Sequence, residues 1–192
     1  MTGQVMIFLG APGAGKGTQA ERLSKQYGMV KLSTGDILRD HVSRGTALGQ
    51  RIEPILSSGQ LVSDEILIEL IEHQVSVLES SKIILDGFPR TVEQAKALDQ
   101  LLIAKGLELC SVILLDVPVD LLIDRIISRG KVLGRSDDGE STARERQRVY
   151  LEQTEPLVDY YRSKGLLKVV AGTGSLDDVY ARIVKIMKKE HV

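Results

Sequence analysis

One cysteine, Cys110, is all the thiol this 192-residue chain carries. A single thiol closes no intramolecular disulfide and builds no cysteine-rich zinc site. Its place at the head of the apolar run Ser111 to Asp116 reads as a strand thiol. Excess charge is lacking too: 25 Lys and Arg against 26 Asp and Glu leave a formal net charge of −1. With no basic arm or tail, the electrostatic footprint of a general nucleic-acid or membrane-surface binder is missing. Long hydrophobic runs are absent, the opening Val5 to Leu9 being too short for a secretion signal, and nothing approaches the ~20 apolar residues that span a bilayer. The expected location is cytoplasmic. There is no internal repeat, low-complexity tract or long linker, and the three histidines show no ligand spacing. What remains, 43% hydrophobic residues in 192, suits one domain with a sizeable core.

The strongest signal present is GAPGAGKGT, Gly10 to Thr18, directly after Val5 to Leu9. An apolar strand, a glycine-rich turn and a helix start form the context in which successive backbone N–H groups point inward at a phosphate. The helix adds its positive dipole end and Lys16 a point charge. Gly10, Gly15 and Lys16 fit the generic phosphate-loop pattern, but Gly17 stands where a Ser or Thr hydroxyl normally touches Mg²⁺, and the hydroxyl comes one residue late at Thr18. That departure argues against a GTPase or motor ATPase and for a metal held mainly by substrate phosphates and water.

Further on, Lys82 to Leu85, Val112 to Leu115 and Leu167 to Val170 are short apolar runs that predict buried strands. Helical periodicity lies between them, at Ala20, Leu23 and Tyr27, at Val92, Ala95, Leu98 and Leu102, and at Leu176, Val179, Ile183 and Ile186. Thr91 with Gln94, Thr142 with Glu145 and Ser175 with Asp178 have capping-box spacing, and Thr34 is placed to cap the helix after it. Alternating strand and helix predicts an α/β fold with a parallel sheet covered on both faces and ligands at the strand carboxyl ends. Two stretches stand outside that alternation: Ser33 to Val62, a mainly helical excursion, and Gly130 to Gly139, which reads as a polar, glycine-punctuated loop. Mobile pieces hinged on a phosphate-binding core suggest closure that excludes water.

GAPGAGKGT at Gly10, LSTGDILR ending at Arg39, GQLVSDE at Gly59, LDGFPRTVEQA from Leu85 and RIISRGKVLGR from Arg125 to Arg135 together resemble the adenylate kinases of the nucleoside monophosphate kinase family, nearly end to end. The resemblance implies a phosphate-loop core with a five-stranded parallel sheet over 1–32, 63–128 and 140–192, a monophosphate-binding insert over 33–62 and a lid over 129–139. Only five residues separate Arg129 from Arg135, which implies the short-lid form without zinc. The implied activity is reversible, Mg²⁺-dependent transfer from ATP to AMP giving two ADP, by a monomer whose partners are ATP, AMP and ADP. A UMP or CMP kinase is the alternative.

Such a transfer brings about four negative charges on ATP against two on AMP. Lys16, Arg39, Arg90, Arg125, Arg129, Arg135 and Arg146 are cations available to offset them, and guanidinium forks match phosphate oxygens. An ionised phosphate is already a nucleophile, so no general base is required. By resemblance, Gly13, Ala14, Gly15, Lys16, Gly17 and Thr18 cradle the ATP phosphates, Arg129 sits beside ATP, and the backbone from Gly172 to Gly174 lines its adenine. Arg39 and Arg90 grip the AMP phosphate, with Gly87, Phe88 and Pro89 beside them. Arg125, Arg135 and Arg146 close over the transferring group, Arg135 and Arg146 also reaching AMP. Asp86 holds Mg²⁺ through water. Thr34 and Gln94 face the AMP adenine, and backbone at Gln60, Leu61 and Val62 touches the same nucleoside.

Overall fold

The fold was taken from a computed structural model, which describes residues 3–78, 80 and 82–190. Five parallel strands, β1 (Gly3–Leu9), β2 (Val30–Ser33), β3 (Lys82–Asp86), β4 (Leu107–Asp116) and β5 (Leu167–Ala171), form one sheet in the order β2-β3-β1-β4-β5. The expected fold class holds. β1 lies at the centre, with Phe8 paired to Asp86 on one side and to Ile113 on the other. The turn after β1 thus opens beside the carboxyl ends of two neighbouring strands, where ligands collect in such sheets.

The strands read as continuous apolar runs because both faces are buried. Val5, Ile7 and Leu9 of β1 point into one core with Ile83, Leu85, Leu98, Ile71 and Tyr161. Met6 and Phe8 point into the other with Leu23, Ile84, Ile113, Val179 and Ile183. The first core is roofed by α4 (Asp64–Val77), α5 (Val92–Lys105) and α8 (Pro156–Ser163), the second by α1 (Lys16–Tyr27) and α9 (Leu176–Glu190). Cys110 is the extra residue of a bulge: Val5 pairs with Leu109 and Met6 with Ser111.

Between β2 and α4 the chain forms α2 (Thr34–Ser43) and α3 (Ala47–Ser57), as the helical excursion predicted. Gly49 lets them touch, since a Cβ there would lie 2.1 Å from the His41 carbonyl oxygen. Three local expectations are corrected. The loop over 130–139 is mostly helix: α6 (Val119–Leu133) runs through Gly130, a single 3-10 turn covers Ser136–Asp138, and α7 begins at Glu140 and ends at Val149. Gly130 does not break α6 but admits Asp138, whose Cβ would stand 2.8 Å from any Cβ at 130. Thr142 caps nothing, because α7 starts two residues earlier at the Gly139 N-cap; its hydroxyl donates to the Ser57 carbonyl (3.1 Å) and Glu145 bonds Arg148 instead. The cap of α2 is Ser33, which accepts from the Asp36 N–H (3.3 Å), while the Thr34 hydroxyl donates to the Gly87 carbonyl (2.8 Å).

Of the other two capping pairs, Ser175 with Asp178 closes in both directions and Thr91 with Gln94 in one, the Gln94 side chain accepting from the Arg90 N–H (2.7 Å) instead. Thr91 accepts from the Gln94 N–H (3.1 Å), and Ser175 and Asp178 exchange bonds of 3.1 and 2.9 Å. Among the described residues, no helix is long and apolar enough to cross a membrane.

Candidate active site

The turn after β1 is shaped by glycines in backbone that other residues rarely adopt. Gly13 has φ +87° and its missing Cβ would lie 2.6 Å from the Leu122 carbonyl oxygen, so only glycine lets the loop run this close to α6. Gly15, at φ +94°, is the N-cap of α1 and turns the chain into the helix with its first N–H groups facing the cleft. The Lys16 ammonium donates to the Gly10 and Ala11 carbonyls (2.7 and 3.0 Å). Burial, opposed by Asp86 and reinforced by Arg90, Arg146 and Arg129, pushes its pKa down to about 7. α7 is tied to the same loop, because Gln147 Nε2 donates to the Pro12 carbonyl (2.8 Å).

A cavity of about 750 Å³ opens over this loop. Gly13 to Thr18 form its floor, Asp86, Gly87, Pro89 and Arg90 its β3 end, and Arg39 of α2 with Leu61 after α3 another side. Arg125 and Arg129 face it from α6, Arg135 from the segment between α6 and α7, Arg146 from α7, and Gly172 and Gly174 from the loop after β5. Thr34, Gln60 and Val62 line a small adjoining cavity instead. Phe88 and Gln94 line neither and are fully buried.

Five arginines share this space, four of them held there by three carboxylates and one by a backbone carbonyl. Asp138, whose side chain is 0% exposed, accepts from Arg129 Nε and Nη2 (2.8 and 2.7 Å) and from Arg146 Nη1 (2.7 Å). Burial would raise its pKa, but the bond from Arg129 and the charges of Arg129, Arg146 and Arg135 outweigh that and hold the carboxyl below the usual carboxylate range. Asp137 faces Arg146 at 3.3 Å and Arg39 at 3.6 Å. Asp36 takes Arg39 at 2.7 Å and Arg135 at 3.4 Å. Arg90 is held by the Gly87 carbonyl (Nε, 2.9 Å), and burial together with Arg146 pushes its pKa down to about 10.

Arg125 faces the same cavity from a different anchor. Both its terminal nitrogens donate to the Gly172 carbonyl (3.3 and 3.4 Å), which puts the guanidinium against the Gly172–Gly174 loop. That loop is further pinned by Arg182, which donates to the Ala171 and Thr173 carbonyls (2.8 and 2.6 Å), and by Gln19, which donates to the Leu176 carbonyl (3.1 Å). Sequence reasoning missed Asp36, Asp137, Asp138, Gln147, Arg182 and Gln19. The one signal available was the acidic pair 137–138 set inside a segment otherwise rich in arginine.

For a metal, one carboxylate is suitably placed. Asp86 ends β3 against the loop, its Oδ2 3.1 Å from where a Gly17 Cβ would lie, and among the described residues its carboxylate makes no hydrogen bond or ion pair. No group of three or more His, Cys, Asp or Glu that could hold a metal occurs among the described residues. A lone carboxylate facing a phosphate site fits Mg²⁺, which keeps most of its waters and binds through one or two carboxylates plus substrate phosphates.

Comparison with known proteins gives the same picture over most of the length. A family profile described as adenylate kinase matches residues 8–166. The chain is similar to the adenylate kinase of Deinococcus deserti, 56% identical over 191 residues that cover 96% of this chain and 97% of that protein. It is likewise similar to the adenylate kinase of Thermus thermophilus, 55% identical with 94% and 95% covered, and to that of Stenotrophomonas maltophilia, 45% identical with 95% and 98% covered.

Proposed function

The chain belongs to the adenylate kinase family and is an enzyme of phosphoryl transfer between adenine nucleotides, and we propose that it moves the terminal phosphoryl group of ATP onto AMP by charge compensation alone. The observation that carries this reading is the gathering of Lys16, Arg39, Arg90, Arg129, Arg135 and Arg146 around one cavity above the phosphate loop. So many cations have little use in a protein that only binds a nucleotide. They suit a site where two mutually repelling anions must meet.

In the proposed reaction the donor phosphates lie along Gly13 to Thr18, receiving backbone N–H groups, the α1 dipole and the Lys16 ammonium. The acceptor monophosphate takes over the fork of Arg39 from Asp36 and Asp137 and binds beside Arg90. An acceptor phosphate oxygen attacks the γ-phosphorus in line, a new P–O bond forms as the bond to the β–γ bridging oxygen breaks, and two ADP result. The acceptor phosphate is mostly dianionic at neutral pH, its second ionisation lying near 6, so no side chain has to remove a proton. Arg129 and Arg146, locked together on Asp138, present their remaining N–H groups to the equatorial oxygens, where charge is spread in the transition state. Asp86 is the residue that would hold Mg²⁺ through water, and the ion would supply further charge neutralisation to the donor phosphates. Arg125 and the Gly172–Gly174 backbone serve the donor base.

Residues 33–62 act as the acceptor insert and 129–139 as a short lid. Contacts between them support this: Asp137 with Arg39 and Asp36 with Arg135 join the two across the cleft, while Gln60 with Glu145 ties the insert to α7. The test is ADP formation with ATP as donor and AMP, GMP, UMP or CMP as acceptor. The expected result is a specificity constant highest for AMP. A preference for UMP or CMP replaces the acceptor assignment, and ATP binding without ADP formation from any acceptor overturns the proposal.

A further inference from the structure

Gln94 sits in the first turn of α5, at a position whose amide orientation decides what it can read. The protein fixes that orientation from both ends. Its Oε1 accepts from the Arg90 backbone N–H (2.7 Å), and its Nε2 donates to Asp64 Oδ1 (2.7 Å). A backbone N–H can only donate and an ionised carboxylate can only accept, so exchanging the amide oxygen and nitrogen would oppose N–H to N–H and oxygen to oxygen. Asp64 is itself held. Its other oxygen accepts from the Thr91 hydroxyl (3.0 Å), and that hydroxyl accepts in turn from the Gln94 N–H (3.1 Å). The carboxylate comes from the first turn of α4 and the amide from α5, 30 residues on, so no local capping rule explains the pair. Gln94 is 0% exposed, so a base reaches its amide only by displacing what covers it, after the protein has already set which end is oxygen.

We infer that Asp64 is a positioning residue for acceptor-base selection: by locking the Gln94 amide it makes the site discriminate a 6-aminopurine from a 6-oxopurine. This rests on the proposed reading of Gln94 as the residue facing the acceptor base. With one N–H and one lone pair already committed, Gln94 keeps one donor and one acceptor. Adenine offers the complementary pair, a 6-amino donor beside the N1 acceptor. A 6-oxopurine offers the reverse, a carbonyl beside an N1–H donor. A base held in place by its phosphate and ribose cannot turn over to suit the amide. The amide must turn instead, and Asp64 prevents it. A site with buried polar groups set for one pattern rejects the other because those groups would be left unpaired.

Asp64→Asn is the test, because asparagine keeps the shape but can present either a donor or an acceptor to Gln94. Specificity constants for AMP and for inosine monophosphate, which differ at the purine 6-position and N1 protonation, are measured with ATP as donor in the wild type, in Asp64→Asn and in Thr91→Val. The expected result is an AMP-to-IMP ratio that falls about tenfold in Asp64→Asn, the worth of about one hydrogen bond, with the KM for ATP unchanged. Thr91→Val loses the helix cap and one bond to Asp64 but leaves the bond from Gln94 Nε2 to Asp64, so its melting temperature falls and the ratio falls clearly less than in Asp64→Asn. If Asp64→Asn keeps the wild-type ratio, or if Thr91→Val changes it equally, Asp64 is only structural and the inference is wrong. Should Asp64→Asn fail to fold, Asp64→Ser with its melting temperature recorded carries the same comparison. A wild type that makes no ADP from ATP and AMP refutes the proposed function itself, whereas an active, AMP-selective wild type with an unaffected variant refutes only this inference.

Discussion

Replacing Lys16 by methionine should make the protein more stable and nearly inactive. The ammonium lies among Arg90, Arg146 and Arg129, opposed by Asp86, and burial with these charges pushes its pKa down to about 7 from the ordinary 10.5. Taken whole, that difference bounds the destabilisation at about 5 kcal/mol. Lys16 is only partly buried and bonds two carbonyls, so solvent screening cuts the figure to about 1–2 kcal/mol. At 2–4 °C per kcal/mol for a chain of this size, the expected rise in melting temperature is about 2–8 °C. The sign with pH is fixed. The unfolded chain holds the lysine proton up to about 10.5 while the folded protein releases it from about 7, so the wild type carries the full penalty below pH 7 and sheds it as pH rises between those values. Methionine has no such penalty, so its advantage should be largest at pH 6 to 7 and shrink toward pH 10. Urea titrations without nucleotide at pH 6.5, 8 and 9.5 give the difference, and turnover should drop by about 10² to 10³, the scale for one preorganised cation or donor at developing charge. A variant less stable than wild type at pH 6.5, or an advantage independent of pH, would refute the view that the site is built from uncompensated positive charge.

Asp138→Asn leaves Arg129 and Arg146 without their shared anion and should cost about 3 kcal/mol at pH 7, the lower end for breaking a buried pair because Asp137 stays. Because the Asp138 pKa is depressed, its stabilisation is fully present above the unfolded value of about 4 and is lost as pH falls through the folded one; thermal scans from pH 7.5 downward should show the variant's deficit constant to about pH 4 and shrinking below it. Gly13→Ala forces a Cβ to within 2.6 Å of the Leu122 carbonyl oxygen at φ +87°, so about 2 kcal/mol of strain and a raised KM for ATP are expected, with KM for AMP spared. Asp86→Asn should raise the Mg²⁺ concentration for half-maximal turnover about tenfold, and an unchanged Mg²⁺ dependence removes Asp86 from the metal's surroundings.

What could be read without coordinates was whatever burial or local chemistry writes into neighbouring residues. β1, β3 and β4 were legible because both faces of the sheet are covered and their residues alternate between two cores without a polar interruption. β2 was not called from the sequence: only Leu32 and Ser33 of its four residues are buried, too little for a pattern. The phosphate loop was legible because its glycines answer to backbone geometry. Gly130 misled for the same reason, since it looks like a helix breaker and instead makes room for Asp138, a contact the local sequence does not encode. The arginines were legible as a set, but not what orders them. Asp36, Asp137 and Asp138 act through partners on other elements, and a lone carboxylate in a charge-rich stretch reads as solvated surface. Gln94 shows the limit best. Its backbone N–H bonds Thr91 as spacing predicted, while its side chain answers to Asp64, far away in the chain.

The central claim is that the cations gathered over the loop exist to hold two nucleotide phosphates at once. The most direct measurement is a crystal structure with diadenosine pentaphosphate, which carries an adenosine at each end of one phosphate chain. The account predicts that Arg39 and Arg135 exchange Asp36 for phosphate oxygens, that Arg90 and Arg146 bond the same chain, and that Lys16 turns from the Gly10 and Ala11 carbonyls toward it. Finding the ligand bound with Arg39, Arg90 and Arg135 turned away from the phosphates would contradict it.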